Sequence, residues 1–195
     1  LFLPGIVCLG LISLYSLMND FHFGDLSEDA IQTLGAPPYI GILARFINLM
    51  MCATAAILLL SSKLSSVFSK TREQVRFLYF GGLLTALILC DDTFMFHEWI
   101  FRKIIPVNEN IIFAFYAIAG VTFLYSFREL ILKTEYILLI IAFGLMGFSV
   151  IIDAANASGF DYKYQAVLED GAKFLGFFSW SVSFIRTSYF VVKPS

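Results

Sequence analysis

Charged residues are scarce in this sequence. Asp, Glu, Lys and Arg make up 14% of its 195 residues, where a soluble domain carries about 25%. That shortage excludes an ordinary water-facing surface over most of the chain. No Lys/Arg-rich tract occurs and the net charge is −2, so nothing presents a phosphate-binding face, and nucleic acid is excluded as a partner. Cysteine is limited to Cys8, Cys52 and Cys90. An odd number inside apolar stretches, with no CxxC, excludes a disulfide framework or a zinc ribbon, and the three read as small buried hydrophobes. Histidine is limited to His22 and His97, which rules out a three-His zinc site within one chain. There is no GxSxG elbow, phosphate loop, CxxCH or dinucleotide fingerprint, so the common serine-hydrolase, nucleotide, haem and dehydrogenase chemistries lack their signatures.

Apolar side chains fill the space that charge leaves. Hydrophobic residues make up 59% of the chain, with 22 Phe and 9 Tyr among them, and mean hydropathy is +0.82. A helix needs about 20 mostly apolar residues to cross the hydrocarbon core of a bilayer. Six segments approach or meet that length: 1–18, 39–61, 77–100, 110–127, 136–155 and 166–185. Turn signals separate them, including Ala36-Pro37-Pro38, Pro106-Val107-Asn108 and Asn156-Ala157-Ser158-Gly159. The expected fold is an all-α, polytopic membrane helical bundle of about six transmembrane helices, forming one domain over residues 1–195. The segment Leu1–Met18 reads as a span rather than a cleavable signal, and the start at Leu1 leads us to expect further sequence upstream. On the sixth segment Ala172, Gly176, Ser179 and Ser183 recur at helical spacing and predict a close-packing face.

Basic residues orient such a bundle. Lys63, Lys70, Arg72 and Arg76 in the second connection, Arg128 and Lys133 in the fourth, and Arg186 and Lys193 at the C-terminus place eight on one side; Arg102, Lys103 and Lys163 place three on the other. The expected topology puts both termini in the cytoplasm. The first connection, residues 19–38, is then an external acidic loop carrying Asp20, Asp25, Glu28 and Asp29, with a short helix starting near Ser27.

Eight charged residues fall inside the predicted spans: Arg45, Asp91, Asp92, Glu98, Asp153, Glu169, Asp170 and Lys173. An ionised group at the bilayer centre costs at least about 2.5–3.5 kcal/mol, so such residues turn toward protein or water and find partners. With this topology, four helices bring their charges to one level, the outer half of the membrane, and the inner half has almost no polar lining. Asp91 and Glu98 are seven residues apart and would share a face of one helix, with Asp92 and His97 flanking it. Glu169 and Asp170 precede Lys173 by four and three residues, within pairing distance on a helix. For Glu98, Glu169 and Asp170, a plain position at a helix end in the headgroup zone is the simpler alternative.

Carboxylates converging with one imidazole suit a divalent metal ion: Mg²⁺, Ca²⁺ or Mn²⁺ on oxygen donors, with Zn²⁺ or Fe added by the nitrogen. The candidate metal ligands are Asp91, Asp92, His97 and Glu98. Asp153, Glu169 and Asp170 are candidate catalytic carboxylates, and Arg45 and Lys173 are candidates to hold an anionic group. Gathering Asp and His near one face is similar to intramembrane metal hydrolases of the alkaline ceramidase and adiponectin-receptor superfamily, which implies metal-dependent hydrolysis of a lipid; the second His pair of that superfamily is missing here. The string Val-Leu-Glu169-Asp-Gly-Ala-Lys173 resembles the retinal-attachment helix of microbial rhodopsins. Six spans rather than seven, and only Trp99 and Trp180 to line a pocket, depart from that family.

The function expected from these residues is a metal-dependent membrane enzyme acting on a lipid or apolar substrate at the outer leaflet. The alternatives are a cation- or proton-coupled carrier or channel using the same carboxylates as a relay, and a non-catalytic accessory subunit working with other membrane-protein subunits.

Overall fold

The computed structural model describes residues 2–18, 34–37, 39–67, 70–95, 109–134, 136–157 and 165–193. Among them every regular element is a helix: α1 Leu3–Met18, α2 Ile42–Val67, α3 Arg72–Phe94, α4 Glu109–Ser126, α5 Arg128–Leu132, α6 Tyr136–Ala157 and α7 Gln165–Val192. The chain divides into two units, Leu1–Ile42 and Leu43–Ser195. The first holds α1, 16 mostly apolar residues with exposed side chains such as Leu3, Ile6, Leu9 and Leu17.

Among the described residues three helices are long and apolar enough to cross a membrane, α2, α3 and the Tyr136–Asp153 part of α6, fewer than the six expected. The reasons are local. At 1.5 Å per residue, α1 covers about 24 Å, short of the roughly 30 Å core. The apolar stretch of α4 is Ala114–Ser126. Helix α7 has length to spare at 28 residues, but Glu169, Asp170, Lys173 and Arg186 and its serines lower its hydropathy.

Several boundaries differ from those expected, each with a local cause. Helix α2 begins at Ile42 because Gly41 takes a left-handed φ of 69° at the end of the turn in which Ile40 N donates to Pro37 O. It continues past Ser61 to Val67, since nothing there breaks a helix. Helix α3 starts five residues before Phe77, at a capping box: the Gln74 amide donates to the Thr71 hydroxyl and the Gln74 side chain accepts from the Thr71 N–H. It ends at Phe94, where Met95 adopts φ 52°, ψ 42° and its N–H donates to Asp91 O. Phe127, with φ −114°, separates α4 from α5, and Leu130 and Ile131 of that short helix are buried.

Phenylalanine fills the core of the second unit. Phe77 of α3 lies 5.3 Å from Phe123, 5.5 Å from Phe127 and 5.6 Å from Phe184, ring centre to ring centre. Trp180 extends this stack, 4.8 Å from Phe184 and 5.4 Å from Phe143 of α6. The closest helix pair is α6 with α7, and here the small-residue face works as expected. A Cβ on Gly176 would lie 3.1 Å from Met146 N and 3.2 Å from Ala142 O, and Ser179 Oγ donates to Leu138 O at 2.7 Å. Outward faces are strongly apolar: on α6 alone Ile137, Ile140, Phe148 and Ile151 are exposed. Cys52 and Cys90 also face outward rather than being buried, because each lies on the apolar side of its helix away from the core.

Candidate functional site

The C-terminal turns of α3 and the N-terminal turns of α7 lie together. Lys173 Nζ donates to Asp92 Oδ1 at 2.6 Å, an ion pair joining residues 81 positions apart, with the lysine side chain 39% and the aspartate 18% exposed. Lysine had two acids of its own helix within reach, Glu169 and Asp170, and pairs instead with α3. A pair between helices satisfies two elements at once, whereas the two acids on α7 can reach solvent or headgroups at the helix N-terminus.

Asp91, the neighbour of Asp92, is 5% exposed. Its carboxylate accepts a hydrogen bond from the Tyr116 hydroxyl of α4. Burying a carboxylate without partners costs several kcal/mol, and the phenol supplies one partner. Tyr116 is a site residue that the sequence did not single out: a tyrosine in an apolar segment is indistinguishable, by spacing, from one that packs. Glu169 feels the charges of Asp153 on α6, Asp170, and Lys173. Thus α3, α4, α6 and α7 each contribute a polar residue to a chain of neighbours running Tyr116–Asp91, Asp92–Lys173, Glu169–Asp153.

Asp153 and Asp170 are exposed, as is Arg45 on the first turn of α2. His97, Glu98 and His22 lie outside the described residues, as does most of the acidic loop 19–38. Helix α3 ends at Phe94 and Met95 turns left-handed, so the expected sharing of one helix face by Asp91 and Glu98 lies outside the described residues. Among the described residues no group of three or more His, Cys, Asp or Glu is arranged to hold a metal ion.

The small polar residues correct a further expectation. Hydroxyls are buried well away from the carboxylates: Thr54, Ser62 and Ser65 on α2, and Ser181, Ser183 and Thr187 on α7. Ser62 Oγ donates to Val75 O at 3.1 Å, between α2 and α3. Ser65 Oγ and Ser181 Oγ have no hydrogen-bond partner among the described residues. The interior at this end is therefore not devoid of polar groups; serine and threonine supply them at small volume, and hydropathy along the chain conceals them.

Residues 2–187 match a protein-family model described as "Domain of unknown function (DUF8692)". The chain belongs to that family. No curated protein and no solved structure matches it. The DUF8692 match covers every helix described above except the last turns of α7, so the Asp92–Lys173 pair and the Tyr116–Asp91 hydrogen bond both lie within the family domain.

Proposed function

We propose that this chain is an integral, multi-pass membrane protein of six spans with both termini cytoplasmic, and that it binds a cation at the carboxylate end of α3 and α7. The exposed apolar faces of α2, α3 and α6 support the membrane setting, because a water-soluble protein rarely exposes contiguous apolar patches larger than a few hundred Å². A cysteine-free background, with Cys8, Cys52 and Cys90 replaced by alanine, permits a topology test. An impermeant thiol reagent applied to intact cells should label Ser27→Cys and spare Ser66→Cys; the reverse pattern would refute the orientation.

One observation carries the cation reading: with Lys173 held by Asp92, Glu169 faces the like charges of Asp153 and Asp170. In a partly desolvated place that repulsion is relieved by a proton or by a metal ion. The ion pair also revises the ligand set. Asp92 is taken by Lys173, so the proposed ligand set keeps Asp91, His97 and Glu98, with Asp153 and Glu169 as further carboxylates. The activity that best fits such a site is a metal-dependent reaction on a lipid or apolar substrate, with a carboxylate as general base. Purified protein should then hold about one equivalent of a divalent metal by elemental mass spectrometry. Chelation should lower its melting temperature, and one ion should restore it; at a hundredfold excess over Kd, binding stabilises by about 2.7 kcal/mol. Asp91→Asn combined with His97→Ala should remove the restoration and leave membrane insertion unchanged. A metal-free protein insensitive to chelator and to added ions would end the enzyme proposal.

A second reading, a cation- or proton-coupled carrier, gains from the buried hydroxyls at the opposite end, since a carrier needs polar groups along its whole length. Ion- or proton-driven uptake in vesicles, without metal dependence, would separate it from the first.

A further inference from the structure

A groove of about 800 Å³ runs between α3 and α4, at the end of α3 remote from the carboxylates. It is lined by Phe80, Leu83, Leu84, Leu87, Ala119 and Phe123, with Thr122 and Ser126 on α4 and with Glu73 and Arg76 at its mouth, the end nearest the start of α3. We infer that this groove binds one phospholipid of the cytoplasmic leaflet whose headgroup carries both a phosphate and a primary ammonium. The inference rests on the membrane-spanning reading above and is independent of any metal.

Three features argue for this occupant. The first is length. From Arg76 to Leu87 the helix rises about 16 Å, close to half the roughly 30 Å hydrocarbon thickness, so the groove matches the acyl region of one leaflet. The volume lies within the range of about 300–1,000 Å³ typical of small-molecule sites.

The second feature is the distribution of polarity. The lining residues of α3 from Phe80 to Leu87 are apolar, and the charged ones, Glu73 and Arg76, lie near the start of that helix. The two hydroxyls of α4, one helical turn apart, lie where ester oxygens of a glycerolipid would need donors. A soluble metabolite would find no partner for polar groups along the deep walls, whereas an acyl chain requires none.

The third feature is charge complementarity. Glu73 and Arg76 are three residues apart on the first turns of α3, and both are exposed. A guanidinium presents a planar fork that holds a phosphate through two parallel hydrogen bonds. The carboxylate one turn away accepts from an ammonium. A zwitterionic headgroup with a primary amine satisfies both; a choline headgroup offers Glu73 charge but no N–H donor, and a glycerol headgroup offers no cation. The basic residues of the second connection, Lys63, Lys70 and Arg72, place this mouth on the side expected to be cytoplasmic.

Native mass spectrometry of the full chain in detergent tests the inference, using phosphatidylethanolamine, phosphatidylcholine and phosphatidylglycerol as probes. One phosphatidylethanolamine per chain should be retained, with a preference of about fivefold over the other two, the scale of one partly exposed charge interaction. Ala119→Trp, which fills the groove, should abolish retention. Glu73→Gln should remove the preference over phosphatidylcholine while retaining binding, and Arg76→Gln should weaken all three lipids; both lie on an exposed helix face and test the site should the tryptophan variant fail to fold. Equal retention by wild type, Ala119→Trp and the two charge variants would overturn the inference, as would crosslinks showing that the groove is filled by α1 or by a second copy of the chain. Extraction of the protein into buffer without detergent would instead overturn the membrane reading on which it depends.

Discussion

Trp180→Ala is expected to destabilise the bundle by about 3–5 kcal/mol, the range for removing a large buried aromatic. At roughly 2–4 °C per kcal/mol for a chain of this size, the melting temperature in detergent should fall by at least about 6 °C. Trp180 is 1% exposed. It packs against Phe143 and Phe184, and its indole N–H donates to Thr85 Oγ1 at 3.0 Å, whose own hydroxyl donates to Gly81 O at 2.8 Å. Inside a bilayer the transfer of apolar surface contributes less, because lipid is as apolar as the core, and lost packing and hydrogen bonding carry the cost. Thr85→Val isolates the polar part: it retains the shape, deprives the indole of its acceptor, and should cost about 1–3 kcal/mol. Melting of Trp180→Ala within about 2 °C of wild type would mean that the α3–α7 contact does not hold the fold together.

The same chemical change should act in opposite directions at two glycines of α7. Gly176→Ala places a methyl against Met146 N and Ala142 O at 3.1 and 3.2 Å. These are backbone atoms and cannot rotate away, so α6 and α7 must separate, at about 1–3 kcal/mol. At Gly171 an added methyl meets nothing within 4 Å, and Gly171→Ala should stabilise by about 0.5–1 kcal/mol through reduced chain entropy. Parallel melting of both variants gives the sign of each. A neutral or stabilising Gly176→Ala would show that the interhelical approach is looser than drawn. Because Lys173 lies less than one turn from Gly176, separation of α6 and α7 would also displace the lysine from Asp92.

Much of the helical architecture was legible along the chain because its causes are local. Apolar length marked α2, α3 and α6, and small residues at helical spacing identified the packing face of α7; the start of α3 at the Thr71–Gln74 box was not anticipated. The candidate site was legible only as a set of residue types. Asp91, Asp92, Glu169 and Lys173 stood out because charge is costly in an apolar segment, yet nothing in their spacing told which would pair. Tyr116 gave no signal at all, since a phenol packs or donates according to what the facing helix presents. The assumption that α3 continued through Glu98 failed at Met95, a residue with no sequence mark of a left-handed cap.

What this sequence determines by itself is therefore its helical class, the apolar length of its helices and the short list of charges that need partners, all consequences of interactions within a turn or two. Only the tertiary structure decided that Lys173 reaches across to Asp92 rather than back to Glu169, and that Asp91 meets a tyrosine rather than a second acid. Those choices depend on how far each helix is rotated and translated against its neighbours. That geometry is set by close contacts between distant residues, such as Gly176 on Ala142 and Trp180 on Thr85, and not by the order of residues within any one helix.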